Sequence, residues 1–394
     1  MNNILNEANE LSTYLSEIRR YLHANPGVGF DIAKTAEKVI KELEDIGINV
    51  QKCGRAGLVA TLGRADSQRC VLLRADMDAL EINEESGEEF ASKNGKMHAC
   101  GHDMHTSMLL GAARLLKAHE SELNGQVMLV FQPAEEILEG AKDMIGDGLL
   151  DNNSIIAAIM IHVMTGVPID CGTAIVAPAG VSAPAAAMFE IKINGKGCHG
   201  SMPEKGRDPL IAGAHIASAL CEINARELAS SQKAALTLGC FNAGSTANVI
   251  PDTAILKGSV RAFDMEVYEF MKQRICEIST GIASVFRTSA EVKFTSECPT
   301  LINNAGLADD IHLYLSELLG SKAIDASDMG EGSSGSEDFA YISHKVPSVM
   351  IALAAGDCRC VYTHPLHHPG VRFDESALPT GAAIYAYSAL RLLG

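Results

Sequence analysis

Apolar runs at 58–62, 71–73, 127–131 and 155–162 lack polar alternation, which predicts strands buried on both faces. Between them the spacing turns helical. Ala36, Val39, Ile40 and Leu43 share one face of a helix predicted over 35–46, with Gly47 as its stop signal. A second helical stretch covers 106–118. Strands of this kind, separated by helices, predict a mainly parallel sheet covered on both sides.

The pattern shifts after Pro178. Residues 177–187 are small, contain proline and carry no charge, which suits a hinge. Beyond them the chain reads as a strand (188–193), a helix (209–226), two strands (234–241 and 254–262), a helix (267–286) and a strand (291–295). That βαββαβ order is a ferredoxin-like unit. From about residue 297 the reading is α/β again, with a strand at 348–353. The expected fold is therefore α/β, with a large discontinuous domain at 1–183 and 297–394 and a smaller domain inserted at 184–296. Residues 330–336, Gly-Glu-Gly-Ser-Ser-Gly-Ser, read as a flexible loop.

Composition fits this plan. A chain of 394 residues, 47% hydrophobic, exceeds the usual size of one core and can fill two. The formal charge of -17 argues against a nucleic-acid partner and against anionic membrane surfaces, since both require clustered Lys and Arg. No secretory signal is visible at the start, and no apolar run reaches membrane-spanning length, so a cytoplasmic protein is expected. Eleven cysteines cannot all pair internally and are expected to be reduced. Cys358 and Cys360 admit a surface thiol pair, a reading we do not favour.

Four segments carry candidate chemistry. MHACGHDMH (97–105) packs three histidines and a cysteine into one turn before a helix, and thiolate and imidazole suit zinc and its first-row neighbours. FQPAEE (131–136) ends an apolar strand with two adjacent carboxylates, at the edge where open α/β sheets hold ligands. Neighbouring residues there point in different directions, so one can bind metal while the other faces the attacking water. His162 closes the strand at 155–162; a single histidine in that place is ordinarily structural. THPLHHP (363–369) is the fourth, and by itself reads as a polar turn.

With RADMDAL (74–80), GKGCHGSMP (195–203), NVIPD (248–252), GSEDFA (335–340) and HHPGVRFDE (367–375), these segments occur in the order and spacing of the hippurate-hydrolase-like amidohydrolases. That subgroup of the aminoacylase-type metallopeptidases includes N-acyl-amino-acid amidohydrolases and auxin-conjugate hydrolases. The resemblance begins at RRYLHANPGVGF (19–30) and covers nearly the whole chain.

The resemblance implies a metallo-amidohydrolase that cleaves small N-acyl amino acids with a metal-activated water and two divalent ions, zinc, manganese, cobalt or nickel. Cys100 resembles the bridging thiolate, Glu136 and His367 the ligands of one ion, His102 and His162 those of the other, and Glu135 the general base. His199 matches a family histidine that reaches the scissile carbonyl across a dimer interface, which makes the inserted domain a lid and dimerisation domain and implies a homodimer or homotetramer. Asp76 is expected to orient a ligand histidine, and Asn248, Arg261 and Ser336 to contact substrate. Two departures stand out. Residues 25–29 lack the glutamate usual after the proline, and His368 replaces a small polar residue, so His364 or His368 competes with His367 as ligand. Alternatives are a dipeptidase or carboxypeptidase of the same superfamily, or a non-catalytic metal-stabilised binder.

Overall fold

A computed structural model describes residues 3–151, 154–326 and 335–394. Most of the loop expected at 330–336 lies outside the described residues. Contacts divide the chain into two compact units, one of Met1–Ser182, Ile302–Gly332 and Glu337–Gly394, the other of Ala183–Leu301 with Ser333–Ser336. The expected insertion, 184–296, lies within the second unit's bounds. Among the described residues no helix is long and apolar enough to cross a membrane.

The first unit is built on eight strands in the spatial order Val50–Cys53, Gly57–Gly63, Gln126–Gln132, Cys70–Asp76, Ile155–Met164, Ser348–Ala354, Ala174–Val176 and Ala323–Asp325. Its centre is parallel, as Cys70–Asp76 runs parallel to both Gln126–Gln132 and Ile155–Met164, and the latter parallel to Ser348–Ala354. The apolar runs end up here because both faces are covered. Every residue of Cys70–Asp76 is buried. The helix His102–Ala118 is buried along almost its whole length, where the simple reading placed its start four residues later. It packs against Leu378–Leu393 and Ser12–Ala24.

The second unit is a four-stranded antiparallel sheet, ordered Ala234–Ala243, Thr253–Ala262, Ala185–Asn194, Ser289–Cys298. With helices Pro209–Glu222 and Met265–Val285 this is the βαββαβ arrangement, and it has a separate core. Here burial alternates along the outer strands, as a sheet packed on one side requires. The segment expected as a hinge is partly strand: Gly180–Ala183 is paired, and Ala185, Ala186 and Ala187 begin a central strand in full burial. Small residues allow close packing there. Among the described residues no disulfide joins the eleven cysteines; Cys360 is exposed and Cys358 partly so.

One side chain sets how the central strands part. The ladder between Cys70–Asp76 and Ile155–Met164 stops at Arg74–Met160. Beyond it the buried hydroxyl of Tyr385, from the last helix, accepts from the Ile161 amide at 2.9 Å and donates to the Arg74 carbonyl at 2.7 Å. Tyr385→Phe strips a buried amide of its partner, so we expect it to lower unfolding stability by about 1–3 kcal/mol. Urea titration checks this, and an unchanged midpoint would refute the bridge.

Candidate metal centre

The central parallel strands end side by side, with Asp76 in register with Gln132. After Gln132 the chain turns through Pro133 and Ala134, whose φ of 56° is unusual for a residue with a Cβ. That turn aims two successive amides at one carboxylate: Glu135 N–H donates to Asp78 Oδ1 at 3.0 Å and Glu136 N–H to Oδ2 at 3.2 Å. The Glu135–Glu136 pair is thus held by its backbone, leaving both carboxyls for other work.

The cysteine and histidines arrive from the opposite side. Gly101 caps the helix His102–Ala118 with φ 84°, and a Cβ there would lie 2.4 Å from Val163 Cγ2. Only glycine lets the turn approach the strand that carries His162 this closely. Cys100 Sγ then lies 3.6 Å from His162 Nε2 and 3.3 Å from His367 Nε2. His367 Nε2 is also 3.6 Å from Glu136 Oε2. Its backbone, at φ 65°, is a second left-handed residue, and its amide donates to the Ala99 carbonyl at 2.9 Å. His364 and His368 instead stack on each other, with centroids 4.0 Å apart; all three histidines of that turn are exposed.

His102 faces a ring of acids. Its Nε2 is 3.8 Å from Asp76 Oδ2, 3.9 Å from Glu135 Oε2 and 3.8 Å from Glu136 Oε1, while Nδ1 is 3.4 Å from Asp78 Oδ1. The Nε2 contacts are too long for hydrogen bonds, and both His102 nitrogens and Glu136 Oε1 are buried without a hydrogen-bond partner. In a tetrahedral site two N or O ligands lie roughly 3.4 Å apart and a sulfur–nitrogen pair about 3.6 Å. Three overlapping groups bring their ligand atoms within 4.8 Å of one another: Cys100, His102 and His162; Cys100, Glu136 and His367; His102, Glu135 and Glu136. His162 Nδ1 donates to the Val163 carbonyl at 2.8 Å, which leaves the Nε2 lone pair facing Cys100. The donor set therefore fits two cations.

Two further clusters are of another kind. Asp76, His102 and His105 lie equally close, but His105 accepts the Val163 amide at Nε2 and donates from Nδ1 to Asp76, at 2.8 and 2.6 Å. Neither ring nitrogen is left for a metal. Glu337 and Asp338, near Glu135, are engaged by Arg74, whose guanidinium donates to Glu337, Asp338, Asp76 and Gln132 at 2.7–3.1 Å. Asp338 also accepts from Gln132 and from the Ala141 amide.

The crowding shows in the acidities. Burial, then Glu337 and Glu136, hold the Glu135 carboxyl well above the usual range. Glu136 is pushed up to about 7 and Asp338 to about 8, burial being the largest cause in each. Burial also works against ionised Asp76, but His102, His105 and Arg74 outweigh it and hold that group well below the carboxylate range. Divalent ions would supply the positive charge this cluster lacks.

Asp76, expected to orient a ligand histidine, hydrogen-bonds His105 at 2.6 Å and lies 3.8 Å from His102 Nε2. Asp78, His105, Glu337 and Asp338 were not singled out from sequence; the two aspartates of RADMDAL, alternating along one strand end, were the available signal for Asp78. His199, Asn248, Arg261 and Ser336 belong to the second unit. There Asn248 accepts the Gly200 amide through its carbonyl at 2.8 Å, and Arg261 donates to Ser336 Oγ at 2.7 Å.

Comparison with known proteins agrees with this geometry. The model of peptidase family M20/M25/M40 matches residues 72–391. An N-acetyl-L-cysteine deacetylase of Bacillus subtilis is 36% identical, over 97% of this chain and 89% of its own. The hippurate hydrolase of Campylobacter jejuni is 34% identical, over 99% and 100%. Among solved structures, a dinuclear metal-binding M20 peptidase from Bacillus subtilis superposes with a TM-score of 0.79 at 30% identity, over 98% of this chain and 99% of that one. A family model spanning most of the sequence, and relatives matching it almost end to end, lead to one conclusion: this chain belongs to peptidase family M20/M25/M40 and is a hydrolase.

Proposed function

We propose that the protein hydrolyses the amide bond of small N-acyl amino acids. The observation that carries the reading is the gathering of Cys100, His102, Glu136, His162 and His367 around ligand-sized spacings, with Glu135 beside them. The substrate class follows the relatives, whose names specify N-acetylcysteine and hippurate, both acylated amino acids.

In this reading Cys100, Glu136 and His367 would hold one divalent ion, and Cys100, His102 and His162 a second. Zinc, manganese, cobalt and nickel all accept such donors. Two divalent ions held there would supply an acidified water and a polarised substrate carbonyl. Glu135 takes the proton from the water as its oxygen attacks the carbonyl carbon. Burial, which favours the protonated carboxyl, suits it to hold that proton and pass it to the departing amine nitrogen as the C–N bond breaks. Asp78, by fixing both glutamate amides, keeps Glu135 aimed at the water. His199 donates to the carbonyl oxygen as negative charge develops there. The second unit would act as lid and dimerisation domain of a homodimer or homotetramer, with Arg261, Asn248 and Ser336 toward the substrate.

Glu135→Gln should retain both ions by elemental analysis yet lose about 10²–10⁴-fold in kcat; a fully active variant would remove Glu135 from the chemistry. His199→Ala should cost about 10²–10³-fold in turnover with metal content unchanged. A metal loss there would mean that the residue is misassigned. Chelation should abolish hydrolysis of whichever of N-acetyl-L-cysteine, hippurate or a dipeptide is cleaved, and lower the melting temperature. Adding a divalent ion at about 100 times its Kd should restore about 2.7 kcal/mol of stability. Silence of the loaded protein on all three substrates would favour the non-catalytic binder, and a preference for dipeptides the peptidase.

A further inference from the structure

His199 is exposed, and its ring orientation is decided by a turn of four residues. Cys198–His199 forms a short strand antiparallel to Val249–Ile250, with His199 opposite Val249. Gly200 N–H donates to the Asn248 carbonyl at 2.8 Å, and a Cβ on Gly200 would lie 2.9 Å from that oxygen. The chain then reverses, with Met202 N–H donating to the His199 carbonyl at 2.8 Å. Inside this turn both polar groups of Ser201 face the same ring atom: its amide lies 3.1 Å and its hydroxyl 2.8 Å from His199 Nδ1.

A backbone amide can only donate, so the Nδ1 that receives it must present a lone pair. In the neutral imidazole the proton then sits on Nε2. We infer that Ser201 is a positioning residue that holds His199 in its Nε2–H tautomer, the form that presents a donor on the far side of the ring. This deepens the proposed function and rests on the reading of His199 as donor to the scissile carbonyl. The opposite tautomer would turn a lone pair toward the developing oxyanion and place two protons, on Nδ1 and on the Ser201 amide, against each other. Because water competes at an exposed ring, the amide alone gives a weaker bias than amide and hydroxyl together.

The test is ¹⁵N NMR of the full-length, metal-loaded protein labelled at histidine, with the His199 signals assigned by their loss in His199→Ala. The wild type should show His199 as the Nε2–H tautomer, and Ser201→Ala a mixture. On N-acetyl-L-cysteine or hippurate, Ser201→Ala should lower kcat about two- to tenfold, the worth of one neutral hydrogen bond, with KM and metal content nearly unchanged. Ser201→Thr, which keeps the hydroxyl, should restore both the tautomer and kcat. A wild-type ring protonated on Nδ1, or a Ser201→Ala protein with unaltered tautomer and kcat, would overturn the inference. Wild-type kcat in His199→Ala would instead overturn the assignment of His199 and leave the tautomer result standing.

Discussion

A single guanidinium buried under the carboxyl ends of the central strands organises what lies above it. Arg74 is inaccessible to water, and such a charge is tolerated only when its donors are matched. Its hydrogen bonds reach the end of its own strand at Asp76, the end of the next at Gln132, and Glu337 and Asp338 far along the sequence. Asp338 in turn receives the Ala141 amide, at the start of the helix Gly140–Gly146 that follows the Glu135–Glu136 turn. One cation thus ties the strand ends to two of the connections that surround the cluster.

What Arg74 does not neutralise defines the chemistry. Asp76 is held ionised by two imidazoles and the guanidinium, whereas Glu135 is pushed toward the protonated form by burial, Glu337 and Glu136, and Glu136 by burial, Asp78 and Asp76. The same excess of buried acid makes the cluster a natural seat for divalent cations, whose charge would relieve it.

Much of this was legible in the chain. Apolar runs without alternation gave the strands of the main sheet, parallel at its centre though antiparallel at Gly57–Gly63, and the order of elements gave the βαββαβ unit. The Cys-x-His step could be read as well, since both side chains lie within one turn. His162 alone carried little; its meaning depends on a strand end meeting a glycine turn 61 residues earlier in the sequence, at Gly101. The engagement of both His105 nitrogens and of Glu337 and Asp338 could not be read at all, because hydrogen bonding between distant segments leaves no periodic trace. Short strands such as Ala174–Val176 and Ala323–Asp325 are too brief to show a period, and alanines that suggested a hinge proved to be close-packed strand.

The sulfur atom of Cys100 is the softest donor in its surroundings, 3.6 and 3.3 Å from two imidazole nitrogens in a cluster whose other donors are nitrogen and oxygen. Softness biases the cavity toward thiophilic ions and away from magnesium or calcium. It also couples the centre to the redox state of its environment. A carboxylate in that place would be indifferent to peroxide, whereas a cysteine sulfur converted to sulfinic acid is beyond ordinary repair, and ions held beside it would be its shield as well as its cargo.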